Sequence, residues 1–110
     1  MNLQNLTTLA LLNAALATQV AANKLLVSFR PYVIQNGDNY AVNFAVAHSE
    51  AAETADAIIA YTGTNIETIE DTIQAYETAN TVVAVCEVHV LSLKNGDFNT
   101  PTFVVLARYS

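Results

Sequence analysis

The tripeptide Asn-Gly-Asp occurs twice in this chain, at Asn36-Gly37-Asp38 and at Asn95-Gly96-Asp97, each time between runs rich in Val, Leu, Phe and Tyr. Asn-Gly between apolar runs is the strongest short-range signal for a β-hairpin, because glycine takes the left-handed backbone of a tight turn without steric cost. Two hairpins therefore constrain everything else. Lys24 to Gln35 and Tyr40 to Ala47 read as the strands of the first. Tyr40, Val42, Phe44 and Val46 line one face of the latter strand; Ala41, Asn43, Ala45 and Ala47 line the other. Pro31 lacks the N–H that a ladder needs, which puts its strand at a sheet edge or a bulge. Thr81 to Leu93 and Thr102 to Tyr109 read as the strands of the second hairpin, with a longer connection over Lys94 to Pro101. Val104-Val105-Leu106-Ala107 is apolar without interruption, as expected of a strand covered on both faces.

Helical patterns fill the remainder. Leu3, Leu6, Leu9, Ala10 and Leu16 recur near helical spacing and predict a first helix from Leu3 to Ala22, with Leu11, Leu12, Ala14, Ala15 and Ala17 widening its apolar stripe. Ser49 is a good N-cap, with Glu50, Glu53 and Asp56 in the following turns. It predicts a second helix with Ala51, Ala55, Ile58, Ile59 and Thr62 inward and Gly63 as its C-cap. Thr64-Asn65-Ile66-Glu67 fits a capping box for a third helix, from about Asn65 to Asn80. Ile66, Ile69, Ile73 and Tyr76 form its core stripe, and Glu67, Glu70, Asp71, Gln74 and Glu77 its wet face. The expected class is α+β in the order α-ββ-αα-ββ. Two antiparallel hairpins form one roughly four-stranded sheet, with three helices packed mainly on one face. At 110 residues the chain is one domain, 1–110.

The turns lie 59 positions apart, and at the same separation Phe44 meets Phe103 and Val46 meets Val105. Asn5-Leu6-Thr7-Thr8-Leu9 also resembles Asn65-Ile66-Glu67-Thr68-Ile69. These matches suggest an internal repeat, 1–48 and 61–110, of an αββ unit joined by the second helix.

Charge excludes several functions. The net charge is −6, and the only cations are Lys24, Arg30, Lys94 and Arg108, scattered along the chain. No basic stripe exists to release counterions from phosphates, so neither direct nucleic-acid binding nor an anionic membrane surface is expected. No Lys or Arg precedes Lys24, which a signal peptide would need. Gln4, Asn5, Thr7, Thr8, Asn13, Thr18 and Gln19 interrupt the apolar stretch that a membrane span would need. The expected location is a virion or the host cytoplasm. A single cysteine excludes an internal disulfide and cysteine-rich zinc sites. Cys86, within Val82-Val83-Ala84-Val85-Cys86-Glu87-Val88, reads as a small buried hydrophobe.

Few residues could carry chemistry. Glu87 and His89 share a strand face and His48 ends another strand, so the three could hold a metal, or activate Cys86 as a nucleophile, if the fold gathered them. Asn95-Gly96-Asp97-Phe98-Asn99 alternates oxygen ligands, but the twelfth position, where an EF-hand loop needs glutamate, is Leu106. No phosphate-binding glycine loop, nucleophile elbow or helical His pair is present. No catalytic residue, cofactor or metal ligand is therefore assigned.

Hydrophobic residues make up 53% of the chain and charged residues 13%, too few to coat a lone domain. Excess apolar surface marks contact sites. The residues expected to supply contacts are Leu9, Leu12, Leu16, Val104, Leu106 and Tyr109. The reading is a non-enzymatic structural or assembly protein with protein partners. It would be a homo-oligomer or a subunit of a larger particle such as a bacteriophage virion (capsid, decoration, tail or neck component), whose richness in Ala, Thr, Asn and Val it shares. One alternative is a small oligomeric α+β enzyme or ligand-binding domain with a site near His48, Cys86, Glu87 and His89. Another is an acidic inhibitor docking through the third predicted helix.

Overall fold

The computed structural model describes residues 2–50, 54–79 and 83–109. The elements run β1 (Asn2–Leu6), α1 (Leu9–Ala21), β2 (Leu26–Asn36), β3 (Asn39–His48), β4 (Ala57–Gly63), α2 (Ile66–Ala79), β5 (Val83–Asn95) and β6 (Phe98–Tyr109). The strands form two three-stranded antiparallel sheets, β1-β3-β2 and β4-β6-β5. This corrects the expected architecture. Among the described residues there are two helices rather than three, six strands rather than four, and two stacked sheets rather than one sheet under a helical layer. The unit is β-α-β-β and not α-β-β, because each half carries a strand ahead of its helix.

That leading strand fills the free side of the hairpin's second strand. β1 pairs with β3 from Asn2↔His48 to Leu6↔Phe44, and β4 pairs with β6 from Ala57↔Tyr109 to Gly63↔Phe103. The first predicted helix therefore begins six residues late. Thr8 is its N-cap, accepting a hydrogen bond from the Leu11 N–H at 3.1 Å. The second predicted helix is replaced over 57–63 by β4. Ile59 and Tyr61 face one side of that strand and Ile58 and Ala60 the other, so both sides are apolar and the run imitates a helical stripe. Its expected positions 51–53 lie outside the described residues. Ser49 caps no helix: its Oγ accepts from the Leu25 N–H at 3.1 Å and its N–H donates to the Leu25 carbonyl at 2.9 Å, tying the end of β3 to the start of β2. The third predicted helix is α2, but its cap is Asn65, not Thr64. Asn65 Oδ1 accepts from the N–H groups of Glu67 and Thr68. The expected Asn80 end of that helix, and Thr81 and Val82 at the head of the next strand, lie outside the described residues.

Both hairpins close through a glycine with left-handed φ, +64° at Gly37 and +65° at Gly96. The second is longer than expected, because β5 and β6 continue to Asn95↔Phe98 through the segment read as a connection. Pro101 is tolerated there because β4 ends at Gly63↔Phe103, leaving Pro101 without a neighbour on that side. Pro31 lies on β2, an edge strand.

Two apolar clusters hold the stack together. Leu12 and Leu16 of α1 sit between the sheets with Phe29, Phe44 and Val46 of the first and Ala60, Val104 and Leu106 of the second. On the far side of the second sheet, Ile69 and Ile73 of α2 pack on Val105, Ala107 and Tyr109. Val104 to Ala107 is thus covered from both sides, as its uninterrupted apolar run requires. The body is thin, 46 × 33 × 17 Å, and exposes 6652 Å². A compact monomer of 11.8 kDa exposes about 5,900 Å².

Candidate functional site

The residues singled out for contact lie inside the fold. Leu12, Leu16, Val104, Leu106 and Tyr109 are buried in the two clusters, and Leu9 packs against the first. The apolar surface that the composition implies therefore lies elsewhere.

A cleft of about 440 Å³ with a mixed lining has His48, Cys86 and Glu87 on its walls together with Lys24, Asp56 and Arg108, beside apolar residues such as Leu16, Val20 and Leu106. His48 ends β3 and is 1% exposed, and its Nδ1 has no hydrogen-bond partner. Burial, and secondarily the Lys24 ammonium, lowers its pKa below the usual 6.5 and favours the neutral ring. Cys86 departs from expectation. It is exposed at a β-bulge between Val85 and Glu87, and its Sγ reaches the Ala84 carbonyl at 3.7 Å rather than an imidazole. Glu87 and His89 do share a face, and Glu87 Oε1 lies 2.8 Å from His89 Nε2. The His89 ring leans away from the cleft onto Phe29, with centroids 5.6 Å apart. Three of the four candidates thus line one cleft and the fourth braces Glu87. Among the described residues no three His, Cys, Asp or Glu side chains gather closely enough to hold a metal. Asp56 and Arg108 face each other at 3.8 Å, both half exposed, an ion pair worth little in water.

The larger apolar surface is on the other face of the second sheet. The bulge at Cys86 shifts the strand's alternation, so Val85, Val88 and Val90 all point to the α2 side. They are 54%, 54% and 61% exposed, because α2 covers β4 and β6 but stops short of β5. Between α2 and β5 runs a groove of about 440 Å³, with Ile69, Ile73, Val85 and Val88 on its walls, Val105 on its floor, and Glu70 and Glu77 at its rim. β5 is also an edge strand, with one side of its backbone unpaired within the sheet. At the far side of the same face the Tyr61 and Tyr109 hydroxyls share a hydrogen bond and Tyr76 packs edge-on against Tyr109. Burial, then the Tyr61 hydrogen bond, raises the Tyr109 pKa well above the normal range for tyrosine.

The Val-rich last hairpin was expected to supply contacts, but through Val104, Leu106 and Tyr109 rather than this stripe: Val85 and Val88 are three apart and fall on one face only through the bulge. No known protein family, characterised protein or solved structure matches the chain. Among the described residues, no helix is long and apolar enough to cross a membrane.

Proposed function

We propose that this chain is a non-enzymatic assembly subunit that works in contact with further protein chains. The observation that carries this reading is the Val85, Val88 and Val90 stripe. A contiguous apolar strip beside an unpaired strand edge is the kind of surface that soluble monomers avoid and that interfaces use. The thin body and large accessible area support it, since contacts between chains would restore the burial that one chain lacks. The composition, rich in Ala, Thr, Asn and Val, suits a bacteriophage particle as the setting. Sedimentation velocity of the purified chain over a concentration series in low salt tests the reading. The expected result is a mass that rises above that of one chain. A monodisperse monomer at high concentration would overturn it.

A second reading, a ligand-binding domain, is favoured by the orphaned Nδ1 of His48 at the wall of the cleft it shares with Cys86 and Glu87. Nitrogen NMR of His48 during titration with small polar molecules tests this. A displaced Nδ1 resonance would support it, and a resonance unmoved across the series would count against it.

A further inference from the structure

The two halves of the chain correspond element by element, each running strand, helix, strand, strand. Thr8 and Asn65, the two helix caps, lie 57 positions apart, as do the buried pairs Leu12 and Ile69, and Leu16 and Ile73. In the hairpins the separation is 59: the bulge at Val27 answers the bulge at Cys86, and Gly37 answers Gly96. Each unit places its helix on one face of its own sheet and leaves the other face bare. α1 lies on the face of Phe29, Phe44 and Val46, and α2 on the face of Val105, Ala107 and Tyr109.

Within the chain these units stack head to tail. The helix-bearing face of the first sheet meets the helix-free face of the second. Such stacking joins two different faces, so it does not use up both within one chain. It leaves one helix-bearing face uncovered, on the second sheet, and one helix-free face uncovered, on the first. We propose that these two faces bind each other between copies, so that the α2–β5 groove of one chain receives the outer face of the β1-β3-β2 sheet of the next. This rests on the assembly reading and names the partner as a second copy.

Corresponding positions support it. Phe29 corresponds to Val88 and Pro31 to Val90. In the first unit the second sheet covers them, and Phe29 is 7% exposed. In the second unit nothing among the described residues plays that part, and Val88 and Val90 lie open. The ring that covers Phe29 is His89, and the residue corresponding to His89 is Arg30. Arg30 is exposed on the outer face of the first sheet, opposite Ala45 and among Leu3, Tyr32 and Asn43. That face carries this one cation and no acid along its paired strands. Docked in the corresponding way, Arg30 of one copy lies over Val88 of the next, beside Glu70 and Glu77 at the groove rim. The match is specific in a chain of net charge −6, whose copies otherwise repel.

Two variants test this. Val88→Asp blocks the groove and Ala45→Asp blocks the outer sheet face; both positions are exposed, and circular dichroism checks that each variant folds. Each variant alone should sediment as a monomer under conditions where the wild type assembles. An equimolar mixture should form a complex of two chains and no larger, because one intact groove and one intact sheet face remain. Should Ala45→Asp fail to fold, Arg30→Glu serves in its place. Normal assembly of the sheet-face variant alone would mean groove-to-groove pairing and would overturn the proposal while leaving the assembly reading intact. A monomeric wild type would remove both.

Discussion

The side-chain amide of Asn13 closes a ring with the backbone of Ala60: its Nδ2 donates to the Ala60 carbonyl at 3.0 Å and its Oδ1 accepts from the Ala60 N–H at 2.8 Å. Ala60 lies on β4, an edge strand whose open side would otherwise invite another strand. α1 belongs to the first unit and β4 to the second, so this ring also fastens one unit to the other. Asn13→Ala should cost about 2 kcal/mol, since it leaves two partly buried backbone groups unpaired. The urea midpoint should fall with no change in slope. Asn13→Asp should do no better, because it sets a carboxylate against the Ala60 carbonyl.

Acid should destabilise the fold through His48. Its folded pKa lies below 6.5 because burial, then Lys24, disfavours the charged ring. The unfolded chain therefore binds the proton more tightly. The stability from this group is complete above pH 6.5 and is lost as the pH falls from there through the folded pKa, at up to about 1.4 kcal/mol per unit. Thermal melts of the wild type and His48→Gln between pH 7.5 and 5 check this. The wild type should lose more over that range, and parallel curves would remove His48 as the cause.

Leu12 and Leu16 have almost no accessible surface, and both sheets close on them. Leu12→Ala should cost about 2–5 kcal/mol through lost burial and a cavity. Leu16→Asp should abolish the fold, since an unpaired carboxylate there costs several kcal/mol more than a small marginal domain has to spare. Near-ultraviolet circular dichroism and protease resistance would register both.

Gly37 and Gly96 have open space where a Cβ would sit, yet both hold φ near +65°. Substituting alanine at either should cost about 1 kcal/mol from backbone strain alone. Asparagine, which tolerates that region, should recover part of the loss. Equal melting temperatures for Gly96→Ala and Gly96→Asn would contradict this.

The hairpins were legible because turn chemistry is local: Asn-Gly marks a turn whatever surrounds it. β1 was not, since five residues with two leucines also satisfy a helical spacing when a helix follows at once. β4 was not, because a strand with apolar side chains on both faces has no period to read. The Glu87 and His89 pairing was legible from their two-residue spacing. The bulge at Cys86 was not, and it exposes the cysteine and gathers the three valines. Tertiary pairing creates a bulge, and no single residue type announces one.

In each unit the central strand is the last one synthesised: β3 follows β1 and β2, and β6 follows β4 and β5. The first two strands of a unit therefore leave the ribosome with nothing to zip onto. The inner cluster waits longer still, because Val104 and Leu106 on β6 complete the packing of Leu12 and Leu16 some ninety residues earlier in the chain. Until the final strand arrives, α1 has the first sheet on one side and no completed second sheet on the other. Non-local closure of this kind is slow. A core that closes this late leaves apolar surface open for longer during synthesis, the condition under which partly folded chains aggregate.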